Sequence, residues 1–147
     1  MARLQELSHL AKSLNEETDA FTNTLASLEK ELKSYNLGVE AWVPLSETSK
    51  SGTPTRESSV RVLLGYAKLN EGWGFAIKQV RVERGYYQGD LDCPWESEYE
   101  EEEPKPLLKS SRDVRLQSAT AIDSLLLEIN RQGTKLLKAI RAADPTD

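Results

Sequence analysis

At 147 residues, 38% hydrophobic and 29% charged with a net charge of −5, residues 1–147 suit one acidic domain with a modest core. No apolar run is long enough to span a membrane, and the start, Met1-Ala2-Arg3-Leu4-Gln5-Glu6, lacks the apolar centre of a secretory signal. A single cysteine, Cys93, allows no internal disulfide, so the expected setting is a reducing cytoplasm.

The first predicted element is a helix over residues 2–36. Leu4, Leu7, Ala11, Leu14, Thr18, Phe21, Leu25, Leu28, Leu32 and Tyr35 recur at alternating steps of three and four. That is the repeat of a coiled-coil seam, a narrow stripe that another helix must cover. At 1.5 Å per residue the helix would be about 50 Å long, more than a small core covers. Asn36-Leu37-Gly38 supplies a left-handed stop. The weakest stretch is Asn15 to Thr24, poor helix formers around the polar seam residue Thr18. Ser13 with Glu16 matches a capping box at which the helix would restart if it broke.

Residues 39–45 alternate as a strand, with Val39, Ala41, Val43 and Leu45 on one face and Glu40, Trp42 and Pro44 on the other. Pro44 cannot donate to a sheet ladder, which points to an edge position. Residues 46–59, rich in Ser, Thr, Gly and Pro, read as a long loop. Residues 60–69 and 73–84 form a hairpin around Asn70-Glu71-Gly72, and a phase change at Lys78-Gln79 predicts a β-bulge. Residues 86–109 read as an irregular acidic loop, because six glutamates between Glu96 and Glu103 repel one another. A last helix over 111–143 starts at Ser110 or Ser111 and carries Ala119, Ile122, Leu126, Ile129, Gly133, Leu136 and Ile140 on a second seam. The expected fold is α+β in the order α-β-β-β-α, a three-stranded antiparallel meander with the two long helices paired along their seams.

The acidity is local. Residues 96–106 carry −5, whereas 1–37 carry −2, 38–95 are neutral and 107–147 carry +2. A basic patch or stripe, the usual footprint of a nucleic-acid binder, is missing. Chemistry-bearing motifs are sparse. His9 falls on the helix face opposite the seam, and one histidine with one cysteine make no thiolate–imidazole zinc site. Cys93 has no activating base nearby in sequence. Asp90, Asp92, Glu96 and Glu98 are oxygen ligands on one segment, but their spacing matches no calcium loop. The glycines make no phosphate loop and no nucleophile elbow is present. No catalytic, cofactor or metal site is therefore assigned.

The remaining candidates are contact residues. Aromatics concentrate in and after the strands, and exposed aromatics favour partner interfaces. The candidate interface set is Leu14, Phe21 and Leu25 on the first seam, with Trp42, Trp73 and Trp95.

Three segments together resemble small bacterial helix–meander–helix proteins: Asn36-Leu37-Gly38-Val39-Glu40-Ala41-Trp42, Leu64-Gly65-Tyr66-Ala67-Lys68 with Glu71-Gly72-Trp73-Gly74, and Pro106-Leu107-Leu108-Lys109-Ser110-Ser111-Arg112-Asp113-Val114-Arg115. The resemblance implies the α-β-β-β-α order in a bacterial cytosol and no activity. In size, acidity and helix-then-strand order the chain also resembles type III secretion chaperones, but it lacks that fold's later strand pair and short third helix. The leading expectation is a non-enzymatic interaction protein that forms a homodimer through helix seams. Two rivals stand beside it: an acidic chaperone or inhibitor gripping a client through the sheet, and a metal-dependent hydrolase built on Asp90, Asp92, Glu96 and Arg112.

Overall fold

The computed structural model describes residues 2–53, 56–86 and 92–143. Met1 and Asp90, named above, lie outside them. The elements are α1 (Ala2–Ser34), β1 (Ala41–Thr53), β2 (Arg56–Leu69), β3 (Gly72–Tyr86), β4 (Pro94–Glu100), β5 (Lys105–Pro106), a 3-10 turn (Leu107–Lys109), α2 (Arg112–Ser118) and α3 (Ile122–Ala142). The fold is α+β, with an N-terminal helix, an antiparallel sheet and a C-terminal helix. Among the described residues the sheet has five strands rather than three, ordered β1-β2-β3-β4, with β5 also pairing with β3.

α1 runs unbroken through Asn15–Thr24, and no restart occurs at Ser13. It ends at Ser34, two residues early, where the Tyr35 and Asn36 amides donate to Leu32 and Lys33 in a tightened last turn. Asn36 itself takes a positive φ of 51° and Gly38 one of 60°. The chain thus reverses through two left-handed residues, an asparagine and a glycine being the types that tolerate them.

In its described residues the loop expected over 46–59 is strand: β1 continues to Thr53 and β2 begins at Arg56. Backbone pairing satisfies a polar strand as readily as an apolar one, and threonine is itself a good strand former. The bulge expected at Lys78-Gln79 is absent, because β2 and β3 pair in unbroken register from Arg56↔Gly85 to Leu69↔Gly72. What changes there is the covered face. Trp73, Phe75 and Ile77 point to the helices, whereas Val80 and Val82 point the other way and pack with Leu63 and half-buried Trp42. The register shifts fall instead in β1, between Pro44 and Ser46 and between Ser49 and Ser51.

Among its described residues, the acidic loop expected over 86–109 is also in large part ordered pairing. β4 pairs with β3 from Tyr86↔Pro94 to Val80↔Glu100. The repulsion argument fails because alternate residues of a strand share a face, and the face carrying Glu96 and Glu98 meets arginines.

The C-terminal helix expected over 111–143 divides. Ser111 caps α2 by accepting from the Val114 amide, and the chain breaks at Ala119-Thr120-Ala121 before α3. Ser118 and Thr120 hydroxyls donate to the Arg115 and Gln117 carbonyls at 2.5 and 2.7 Å. The amides of residues 119–121 bond three residues back, at 3.0 to 3.2 Å. Local hydroxyl donors and tightened turns both weaken a regular helix.

The helices do not pair along seams of about 50 Å; each rests chiefly on the sheet. α1 lies against β3 and the 3-10 turn, and α3 against β1 and β2. Leu25 and Leu32 of α1 and Leu125 and Ile129 of α3 enter one core with Val43, Leu64, Tyr66, Phe75 and Leu107. Glu29 adds a polar tether, its carboxylate accepting from the Phe75 amide at 3.0 Å.

Candidate functional site

The six residues selected from sequence separate into two groups. Phe21, Leu25 and Trp73 are core: Leu25 is buried, Phe21 packs against the main cluster, and Trp73 stacks on Tyr66 with ring centres 5.5 Å apart. Leu14, Trp42 and Trp95 reach the surface on three different elements. The structure does not bring the six together as one interface.

The largest uncovered apolar feature is on the helices. Residues 2–17 of α1 are exposed throughout. Their seam continues the face that Leu25 and Leu32 bury further along. Exposure runs from 43% at Leu14 through 53% at Leu10 and 58% at Leu7 to 61% at Leu4. α3 repeats the arrangement at its other end, where Leu136, Leu137 and Ile140 are exposed. These three border an open depression of about 480 Å³ with Leu37 and Val39. Leu10 lies beside the regular seam and was not among the seam residues; only its exposure next to Leu7 and Leu14 marks it.

The sheet face away from the helices is ionic. Arg61 on β2 bonds Glu47 of β1 at 2.9 Å and Glu96 of β4 at 3.0 Å, and also bonds Glu98 at 2.5 Å. Arg84 on β3 reaches Glu47 at 3.0 Å and Glu96 at 3.3 Å. Partial burial pushes the Glu47 carboxyl up, but the hydrogen bonds from Arg84 and Arg61 outweigh it and hold the group below its ordinary value. Burial likewise pulls Arg61 down, and its bonds to Glu47 and Glu96 more than compensate. Val80, Val82 and Ser59 are buried on the same strands. Beside this lattice Trp42 lies flat over Gly65, with Lys78 Nζ 4.2 Å from its ring centre and its indole N–H donating to Glu40 at 2.7 Å.

At the far end of the sheet an open cleft of about 440 Å³ lies between Arg56, Tyr86, Trp95 and Glu96. Arg56 sits 5.7 Å from the Trp95 ring centre and pairs with Glu83 at 3.4 Å. The sequence matches no protein-family model, no curated protein and no solved structure.

Among the described residues no group of three or more His, Cys, Asp or Glu is placed to hold a metal ion. Glu96 and Glu98, two of the ligands weighed from sequence, are hydrogen-bonded to Arg61 instead. Arg112, the cation of the hydrolase reading, donates to Asn15 of α1 at 3.1 Å. His9 and Cys93 are both exposed. Among the described residues no helix is long and apolar enough to cross a membrane.

Proposed function

We propose that this protein is a non-enzymatic interaction module that associates with itself through the uncovered half of α1. The observation that carries the reading is the row Leu4, Leu7, Leu10 and Leu14, four large apolar side chains exposed on one helix face. An isolated helix of this length is marginal in water, so a partner that covers the row would stabilise it as well as bury apolar surface. The sheet offers less for self-association. Its β1 edge carries Pro44 and two register shifts, and its β4 edge carries glutamates, all features that discourage strand addition.

The test is sedimentation equilibrium from low micromolar to about 100 µM, the range in which a modest interface reveals itself. Wild type should show a monomer–dimer equilibrium, and the combined Leu7→Asp and Leu14→Asp variant should be monomeric. Near-ultraviolet circular dichroism should be unchanged in that variant, since neither position belongs to the core that holds Trp73. A wild-type chain that stays monomeric throughout would refute the reading.

A further inference from the structure

The geometry points to an antiparallel dimer: α1 pairs with α1 of a second copy, Leu4 against the partner's Leu14 and Leu7 against the partner's Ala11. This rests on the self-association reading above and adds to it a direction, a register and a shape.

Register follows from which turns are free. On the heptad frame Leu4 and Ala11 are a positions, Leu7 and Leu14 d positions, and antiparallel seams match a with d. The register centred on His9 keeps all four layers among exposed residues. Shifting by one heptad would set Leu4 against the partner's Phe21, which already packs on that chain's core, and Leu7 against half-buried Thr18.

Charge selects the direction. Arg3, Leu10 and Glu17 share the g flank of the seam, and in an antiparallel pair g faces g. The register above then places Arg3 beside the partner's Glu17, twice by symmetry, and Leu10 beside the partner's Leu10 on the two-fold axis. Arg3 and Glu17 are both exposed, and neither makes an ion pair among the described residues. A parallel pair, in which g faces e, would offer Ser8 to Arg3, Asn15 to Leu10 and Thr22 to Glu17, with no opposite charges met. The antiparallel contact is isologous, so it closes at two copies.

Shape follows from the same frame. Phe21 is where each α1 joins its core, twelve residues from the centre, so the two cores stand about 18 Å to either side of the axis. Arg112 of α2 reaches back along α1 only as far as Asn15, beyond the outermost Leu14 layer, and the molecule is a pair of sheets joined by a two-helix bridge.

The experiment is a dipolar distance between spin labels on Lys30→Cys in a Cys93→Ser chain, at a concentration where sedimentation shows dimer. Lys30 is exposed. It lies 21 residues from the centre, so antiparallel pairing gives about 60 Å and parallel pairing about 20 Å. A distance near 60 Å supports the inference. One near 20 Å overturns it while leaving self-association intact, and a chain that never dimerises overturns both. Charge exchange provides a second check. Arg3→Glu or Glu17→Arg alone should weaken the dimer about three- to tenfold, and the two together should restore it, as expected for a pair of exposed ion contacts. Failure of the combined variant to recover would overturn the register.

Discussion

Replacing Gly65 by alanine tests how firmly Trp42 is held on the open sheet face. A methyl at position 65 would lie 2.2 Å from Cε3 and 2.4 Å from Cδ2 of the Trp42 ring, well inside contact distance. The ring cannot yield cheaply, because Glu40 accepts from its N–H at 2.7 Å and Lys78 covers it at 4.2 Å. Overpacking of this kind costs about 1 to 3 kcal/mol. Alanine recovers about 0.5 to 1 kcal/mol of the glycine penalty within a strand. The net expected loss is therefore about 0 to 2.5 kcal/mol, read by urea denaturation with circular dichroism. The decisive arm is the same substitution in a Trp42→Ala chain. With the ring gone, Gly65→Ala should be neutral or stabilising, so the cycle isolates the clash. If Gly65→Ala is no better tolerated without Trp42 than with it, the packing argument fails.

Two further outcomes follow from polar groups. Glu29→Ala should cost about 1 to 3 kcal/mol because it orphans the Phe75 amide, and Glu29→Gln, which keeps an acceptor, should recover much of that in the same urea assay. Acid should weaken the ionic face in a defined direction. Glu47 titrates in the fold below its ordinary 4.5, so its stabilising contribution is complete above that value and drains away as pH falls through the lowered one. Denaturation midpoints from pH 7 to about 3 should show the decline, and Arg61→Met should flatten it; equal slopes in the two chains would refute the assignment.

The long helix, the β2–β3 hairpin and the apolar face of β1 were legible because each rests on local periodicity. Leu25 and Leu32 repeat with the helix, and Ala41, Val43 and Leu45 repeat with the strand. Three features were not legible. Residues 46–53 and 56–59 carry little apolar pattern, and what makes them strands is a ladder of backbone bonds to partners visible only in three dimensions. Glu96 and Glu98 looked repulsive because Arg61 and Arg84, which neutralise them, come from other strands. The break after Ser118 hides inside an intact apolar stripe, since Ser118 and Thr120 act through hydroxyl bonds that leave hydropathy unchanged. The interface residues divided for a related reason. A seam position does not reveal whether the sheet or solvent lies against it, so Leu14 and Leu25 looked alike and differ tenfold in exposure, 43% against 4%.

The switch of covered face along β3 separates the sheet into two cooperative regions. Around Phe75 the strands sit beneath α1 and α3, whereas Val80 and Val82 rely on a small cluster with Leu63 and Trp42. Regions with fewer buried apolar contacts open at lower free energy than the global fold. Amide exchange should therefore release the strand amides near Val80 and Val82 before those near Phe75 and Ile77. The end of the hairpin nearer Asn70 would then be the last part of the sheet to let go.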